Sequence, residues 1–296
     1  MTATPTLPAD VGSSPKRSRT PAILGLLLPG LIGLGIVFVL PLLWLVRMSL
    51  NQAGPAGAVI EVISLSTYAS ALTDSFVWQI TFSTLKLAVL VTALTVVISY
   101  PVALFLAQTP SRFKGLLVAL AIAPLLTSQV VRTFGWLVLL GDTGVINGVL
   151  QQMGAIEGSL RLANNYTGVV IALVEILMPY AILAMLSGFG RISSDLEQAA
   201  GSLGANRWRV FWRITLPLSM PGVLTAALLV FVLTISSFIT PSLVGGGRVF
   251  VLATEIYTQA TQTLNWPLAA ALSMLLLVLF SVLIALYLRA VRRLER

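Results

Sequence analysis

The sequence contains neither cysteine nor histidine in its 296 residues. The absence of cysteine excludes disulfide bonds and thiol chemistry, and the absence of histidine removes the usual proton shuttle and a common metal ligand. No GxxxxGK[ST] phosphate-binding loop is present either, so the chain cannot bind ATP by that route. We therefore expect no catalytic residue, no metal site and no cofactor bound by this chain.

Charge is also scarce, at 9% of residues against 57% that are hydrophobic. A soluble domain usually carries about a quarter charged residues, so this composition indicates an integral membrane protein. A membrane-spanning helix needs roughly 20 apolar residues, and the apolar stretches predict an all-α membrane protein with six transmembrane helices. The predicted spans are Ile23–Val46, Val77–Ala107, Gly115–Leu140, Thr167–Leu186, Pro221–Ile239 and Pro267–Leu288.

The placement of Lys and Arg predicts the orientation of these spans. Most of the 18 basic residues lie in the amino terminus, the 108–114 turn, the 187–220 loop and the carboxyl terminus. Basic loops stay in the cytoplasm, so we expect both termini inside. Residues 1–20 are predicted to be a disordered cytoplasmic tail, 21–290 one six-span domain, and 291–296 a basic cytoplasmic tail. The net charge of +8 then reflects topology, and no nucleic-acid partner is expected.

A polar, basic stretch from Asp195 to Pro221 separates the fourth and fifth predicted spans. Apolar residues at helical spacing predict a short amphipathic helix over Asp195–Leu203, and Gly204 is expected to end it. An aromatic turn follows, with Trp208, Phe211 and Trp212 set between Arg207, Arg209 and Arg213. Such a stretch either presents a helix to a groove on a soluble partner or rests as a basic loop on lipid head groups.

Within this stretch, Gln198-Ala199-Ala200 is followed after three residues by Gly204, and after nine more by Ile214-Thr215-Leu216-Pro217. The pattern resembles the EAA loop of ABC importer permeases, a coupling helix that docks into a cleft of a cytoplasmic ATPase. The family's usual glutamate falls on Gln198, with Glu197 immediately before it, so either side chain could make the polar contact. The residues implied for ATPase coupling are Glu197, Gln198, Ala199, Ala200, Gly204, Arg207, Ile214, Leu216 and Pro217.

The same resemblance implies a type I importer permease architecture in a bacterial inner membrane. Its expected partners are cytoplasmic ATPase subunits, which bind the ATP and magnesium, a second permease subunit in a heterodimer, and an extracytoplasmic solute-binding protein. Transport would then proceed by alternating access, driven by ATP that another polypeptide hydrolyses.

Ionisable residues inside the predicted spans are costly in lipid and usually face a cavity or a partner. Lys86 is expected about 31 Å above the inner end of its span, where it can snorkel to the outer interface. Arg132 and Glu175 are expected roughly 26 Å and 17 Å above the inner face on adjacent spans. They either form a structural ion pair, or Glu175 faces the translocation cavity and attracts a cationic substrate beside Tyr180. Pro179 also frees a backbone carbonyl that something must satisfy.

The runs Val131–Trp136 and Leu140–Asn147 add a second resemblance, to the third-span exit and outer loop of spermidine/putrescine-type permeases. It implies a polyamine or similar small cation. The candidate substrate-path residues are Arg132, Trp136, Glu175, Tyr180, Asp142 and Glu255. As alternatives, the outer acids are simply solvated and Trp136 is an interface anchor. Opines, amino-acid derivatives, aminophosphonates and iron chelates remain open as solutes.

Two other classes of function were considered for these residues. An ion-coupled secondary carrier would need embedded acids and often inverted repeats, and the sequence offers one embedded acid, Glu175, and no clear repeat. An intramembrane enzyme would need a catalytic set, which the embedded residues do not supply.

Overall fold

The computed structural model describes residues 20–109, 112–190 and 194–294, and these are predominantly helical. A two-stranded antiparallel hairpin, β1 (Gln52–Ala53) with β2 (Val59–Ile60), pairs Gln52 with Ile60. The helices are α1 (Thr20–Ser49), α2 (Ser66–Thr73), α3 (Ser75–Gln108), α4 (Lys114–Ile122), α5 (Gln129–Leu139), α6 (Val145–Gln152), α7 (Tyr166–Phe189), α8 (Ser194–Ser202), α9 (Arg207–Val210), α10 (Leu216–Ser236), α11 (Ile239–Val244), α12 (Leu252–Thr261) and α13 (Trp266–Leu294).

The chain divides into two compact units, residues 1–47 and 48–296. The first unit contains most of α1, a helix with Pro29 and Pro41 in its interior. Its apolar window has no buried residue, and most of the side chains described along it are exposed. A long, exposed and predominantly apolar helix is suited to a hydrocarbon environment, because a helix satisfies most of its backbone hydrogen bonds within the segment.

The described residues contain five helices long and apolar enough to cross a membrane, and six spans if one bent pair counts as a span. Four of the five are α1, α3, α7 and α13, and the fifth is the continuous run Arg207–Ser236. The predicted six-span, all-α organisation is therefore confirmed. Residues 1–19 of the predicted tail lie outside the described residues, whereas the predicted carboxyl-terminal tail begins as helix, since α13 continues to Leu294.

The third span is not the straight helix that the apolar run Gly115–Leu140 predicted. It consists of α4, a 3₁₀ turn at Ala123–Leu126, and α5, with a bend of 91° between the two helical parts. Pro124 explains the break, because proline lacks the N–H that would continue the helical ladder and its ring crowds the preceding turn. The sequence prediction was wrong here because hydropathy alone does not register the break.

The start of the fifth span also differs from the prediction, which had Pro217 and Pro221 separating a polar segment from a new helix. Instead α9 continues through a π-helical turn, Phe211–Thr215, directly into α10. Pro217 is the second residue of α10, directly after the π-helical turn. The polar segment is thus continuous with the span that follows it.

The core of the second unit is α7, which packs against α3 and α10. Its side chains Leu173 and Met185 are fully buried, as is Val230 of α10. The backbones of α7 and α10 approach most closely at Gly188 and Gly222: a Cβ added to Gly188 would lie 2.4 Å from the Gly222 Cα. Small residues at a helix crossing let membrane helices pack closely in this way, and this crossing fixes the inner ends of the two spans together.

Candidate functional site

Residues 190–215, between α7 and α10, are called the coupling segment. The first helix in this segment is α8. The predicted helix Asp195–Leu203 is confirmed by α8 at Ser194–Ser202. Gly204 ends it with φ +78°, while the N–H of Gly204 donates to the Gly201 carbonyl and that of Ala205 to the Ala200 carbonyl. This pair of bonds is a Schellman motif, which needs a left-handed residue at the position Gly204 occupies.

Four of the nine residues implied for ATPase contact are exposed, namely Ala199, Gly204, Arg207 and Pro217, whereas Ala200, Ile214 and Leu216 are half-buried. Leu203 is also exposed, with 89% of its surface accessible. Glu197 and Gln198 lie within α8, but their side chains are outside the described part of the structure. Exposed apolar and polar groups on one short helix are suited to docking against another protein.

The second half of the coupling segment is an aromatic cluster with a basic surface. Asn206 caps α9 by accepting a hydrogen bond from the Arg209 N–H at 2.8 Å. Trp208, Phe211 and Trp212 pack on one another with ring centroids 5.5–6.1 Å apart. Arg207 and Pro217 are exposed, Ile214 and Leu216 are half-buried, and Thr215 is buried. Trp208 and Trp212 are themselves exposed, so this half of the segment presents both aromatic and basic groups at its surface.

The predicted pair Arg132 and Glu175 forms an ion pair, with Arg132 Nη2 2.8 Å from Glu175 Oε1. Trp136 Nε1 donates to the other carboxylate oxygen, also at 2.8 Å. The side chain of Arg132 is 11% exposed and that of Glu175 is 37% exposed. The bend explains how the pair meets: α5 turns aside after the 3₁₀ turn at Ala123–Leu126, so Arg132 stays near the depth of Glu175.

Arg132 also donates to two backbone carbonyls, one of which lacks its helical donor because of a proline. Its Nη2 donates to the backbone oxygen of Glu175 at 3.3 Å, and its Nη1 to that of Pro124 at 3.4 Å. The Glu175 carbonyl would normally accept from residue 179, which is Pro179 and has no N–H. One guanidinium thus donates hydrogen bonds both to the break in the third span and to the α7 carbonyl that Pro179 leaves without a helical donor.

A second helix break, between α10 and α11, lies next to the break in the third span. α10 ends at Ser236, and α11 begins at Ile239 after the extended Ser237. The two breaks are joined by side chains, because the buried hydroxyls of Thr133 on α5 and Thr240 on α11 are 3.1 Å apart. In many secondary transporters, discontinuous helices near the bilayer midplane form the solute site.

A cavity of about 140 Å³ opens where the two breaks meet the middle of α7. Gln129, Tyr180, Ser236, Ser237 and Phe238 supply its polar and aromatic lining. The hydroxyl of Ser237 is buried and has no hydrogen-bond partner within the described structure. Such a group is costly to leave unpaired.

The structure brings together three of the six predicted substrate-path residues, Arg132, Trp136 and Glu175, and it places Tyr180 in the neighbouring cavity. Asp142 is exposed in the turn after α5, and Glu255 on α12 accepts a hydrogen bond from Gln259 at 2.7 Å. Neither acid contacts the Arg132–Glu175 group through a hydrogen bond or ion pair in the described ranges.

The sequence reasoning missed the cavity residues Gln129, Ser236, Ser237 and Phe238. A signal was present in the sequence, because Pro124 interrupts an apolar run and Ser236-Ser237 is followed by Pro241. Serine pairs and prolines at membrane depth mark possible helix breaks.

Several curated proteins resemble this chain over most of its length. The spermidine/putrescine transport system permease protein PotB of Escherichia coli K12 is 31% identical over 267 residues, covering 90% of this chain and 97% of that protein. PotB of Haemophilus influenzae is 33% identical over 218 residues, or 74% and 76% of the two chains. The molybdenum transport system permease protein ModB of Azotobacter vinelandii is 34% identical but matches 55% of this chain.

A solved structure and a family profile agree with these relatives. A bacterial alginate ABC transporter, crystallised with an alginate-bound periplasmic protein, superposes with a TM-score of 0.75 at 18% identity, over 94% of this chain and 96% of that one. At this identity the likeness concerns the fold alone. The family profile matches residues 22–296. The chain therefore belongs to the family of binding-protein-dependent transport system inner membrane components, as a multi-pass permease of the ABC importer type.

Proposed function

We propose that this chain is one permease subunit of an ATP-driven importer that moves a polyamine, such as putrescine or spermidine, into the cytoplasm. The observation that carries the proposal is its 31% identity, over 90% of its length, to permeases of spermidine/putrescine transport systems. The proposed assembly contains a second, different permease subunit, cytoplasmic ATPases that bind ATP and magnesium, and an extracytoplasmic solute-binding protein.

The role proposed for this chain is mechanical rather than chemical. Closure of the ATPases displaces the coupling segment, and the spans attached to it change between outward-open and inward-open arrangements. The continuous run Arg207–Ser236 supports this role, because the exit of the coupling segment is part of a transmembrane helix. For the spans to tilt between two states, the ATPases must contact the membrane subunit differently in each state. No chemical reaction within the membrane subunit is needed.

The cavity at the two breaks is proposed to hold the solute during its passage. The hydroxyl of Ser237 and the amide of Gln129 can accept hydrogen bonds from an amine, and the rings of Tyr180 and Phe238 can contact a cation or a methylene chain. The charge of Glu175 is already compensated by Arg132, so this carboxylate is proposed to keep the breaks in place rather than to bind the amine itself.

Uptake by cells that carry or lack an intact copy of this chain tests the proposal. Radiolabelled putrescine and spermidine should enter only with the intact chain, and uptake should stop when the cells are depleted of ATP. Molybdate is the comparison solute, since a molybdenum permease matches part of the chain. Molybdate uptake without polyamine uptake would overturn the proposed solute, and polyamine uptake that needs an ion gradient and no ATPase would overturn the proposed mechanism.

The cavity assignment has a separate test. Ser237→Ala removes a hydroxyl that bonds to nothing within the described structure, so the protein should remain as stable as the wild type. If the hydroxyl accepts a bond from the solute, the substitution should raise the KM for uptake several-fold, since such a bond is worth about 1 kcal/mol. Ser242→Ala, at an exposed serine of α11, is the matched control. An unchanged KM in the Ser237 variant would remove this residue from the path.

A further inference from the structure

Tyr100, in the inner half of α3, contacts both ends of the coupling segment. Its ring meets that of Phe189, the last residue of α7, at a centroid distance of 5.8 Å, and that of Phe211 in the π-helical turn at 6.0 Å. Both contacts are edge-to-face, a geometry that aromatic pairs favour. Phe189 precedes the coupling segment and Phe211 lies near its exit, so one side chain on α3 touches both ends of it.

The hydroxyl of Tyr100 makes a third contact, to Ser219 on α10, with an O–O distance of 2.9 Å. The Ser219 hydroxyl donates to the carbonyl of Leu216 at 2.8 Å, so Tyr100 is the donor to Ser219. The N–H of Leu216 in turn donates to the carbonyl of Phe211. A continuous series of hydrogen bonds therefore runs from α3 to the π-helical turn.

The surroundings of Tyr100 determine which parts can move relative to each other. Gly188 and Gly222 hold α7 and α10 in backbone contact beside Phe189 and Ser219, with no room for a side chain between them. The inner ends of these two spans are therefore expected to move together with the coupling segment. In contrast, α3 continues past Tyr100 but lacks one backbone hydrogen bond there, because Pro101 leaves the carbonyl of residue 97 without its helical donor. A proline at this point allows α3 to bend.

We infer that Tyr100 is a positioning residue for transport: it transmits displacement of the coupling segment to α3, so that α3 moves with α7 and α10. The inference rests on the proposed function and extends it to a named side chain. The π-helical turn next to it is consistent with this role, since single π turns within α-helices occur frequently at functional positions.

The test uses the complete transporter, purified with its ATPases and reconstituted in proteoliposomes with its binding protein. Tyr100→Phe retains both ring contacts and deletes one hydrogen bond, leaving the Ser219 hydroxyl bonded to Leu216. Ser219→Ala deletes the same bond from the other side. Both variants should assemble, and their rate of ATP hydrolysis in the absence of the binding protein should be normal. During transport they should consume about fivefold more ATP per putrescine taken up, which is the effect expected from the loss of one hydrogen bond. The double variant should be no worse than either single one.

Tyr287→Phe, at a tyrosine in the inner part of α13, is the matched control and should keep the wild-type ratio. A wild-type ratio in both Tyr100→Phe and Ser219→Ala would overturn the inference while leaving the proposed function intact. Equal defects in all three variants would also overturn it, since the effect would then not be specific to this contact. If the wild type itself takes up no putrescine, the proposed solute is wrong. Stimulation of ATP hydrolysis by the binding protein then replaces the uptake ratio as the readout for Tyr100.

Discussion

Replacing Glu175 by Gln should destabilise the transporter strongly, although the two side chains have nearly the same shape. The substitution leaves the guanidinium of Arg132, 11% exposed, without a counter-charge at membrane depth. Removing one partner of a buried ion pair typically costs about 3–5 kcal/mol, because the remaining charge stays desolvated. For a protein of this size, roughly 2–4 °C per kcal/mol converts this to a fall in Tm of about 6–20 °C.

Neutralising both charges should recover part of that loss. In the double variant Arg132→Met with Glu175→Gln no buried charge remains, but the carbonyl of residue 175 has lost the donor that compensates for Pro179. One unpaired carbonyl accounts for about 1–3 kcal/mol, so the double variant should melt between Glu175→Gln and the wild type. Adding Pro179→Ala supplies an N–H to that carbonyl and should raise the Tm further.

The assay is thermal unfolding of the purified transporter in detergent, with uptake measured on the same preparations. A double variant whose loss equals the sum of the two single losses would refute the reasoning, because residues that compensate each other cannot contribute independently. So would a Pro179→Ala change that lowers the Tm of the double variant. A stable double variant that transports putrescine with an unchanged KM would mean that Glu175 contributes to structure alone.

Two glycines provide further predictions with matched controls. Gly204→Val should reduce co-purification of the ATPase, because a β-branched residue is strained at φ +78° and this strain should loosen the end of α8. Gly201→Ala, within α8, should have little effect. Gly188→Ala should lower both Tm and uptake, because its Cβ would lie 2.4 Å from the Gly222 Cα, whereas Gly190→Ala meets nothing within 4 Å. Wild-type co-purification in the first variant, or a wild-type Tm in the second, would contradict the packing described for these residues.

The sequence predicted those features that depend on local composition and spacing. Long apolar runs predicted the bounds of every span except the third to within a few residues, apart from the start of the fifth span, which lies earlier than predicted. The spacing around Ala200 together with Gly204 gave α8 and its end. These predictions hold because hydrophobic length and glycine conformation act within a single segment.

The features that the sequence did not predict depend on contacts between segments. An ion pair between Arg132 and Glu175 was one of two expectations, but the sequence did not predict the bend of the third span, after which the pair lies 2.8 Å apart. Proline made a break possible in both the third and the fifth span, but only the third bends sharply. At Pro217 the helix continues from the π-helical turn that precedes it. The cavity at Ser237 likewise arises only where two breaks meet.

The central claim, that residues 190–215 lie on the cytoplasmic side and contact the ATPase, can be tested directly because the natural chain has no cysteine. Single cysteines at Leu203 and Asp142, both exposed, would each be introduced into the assembled transporter. The Leu203→Cys variant should crosslink to the ATPase and resist a membrane-impermeant maleimide added from outside, while Asp142→Cys should be labelled and should not crosslink. Labelling of the Leu203→Cys variant from outside, or a failure to crosslink to the ATPase during transport, would contradict the account.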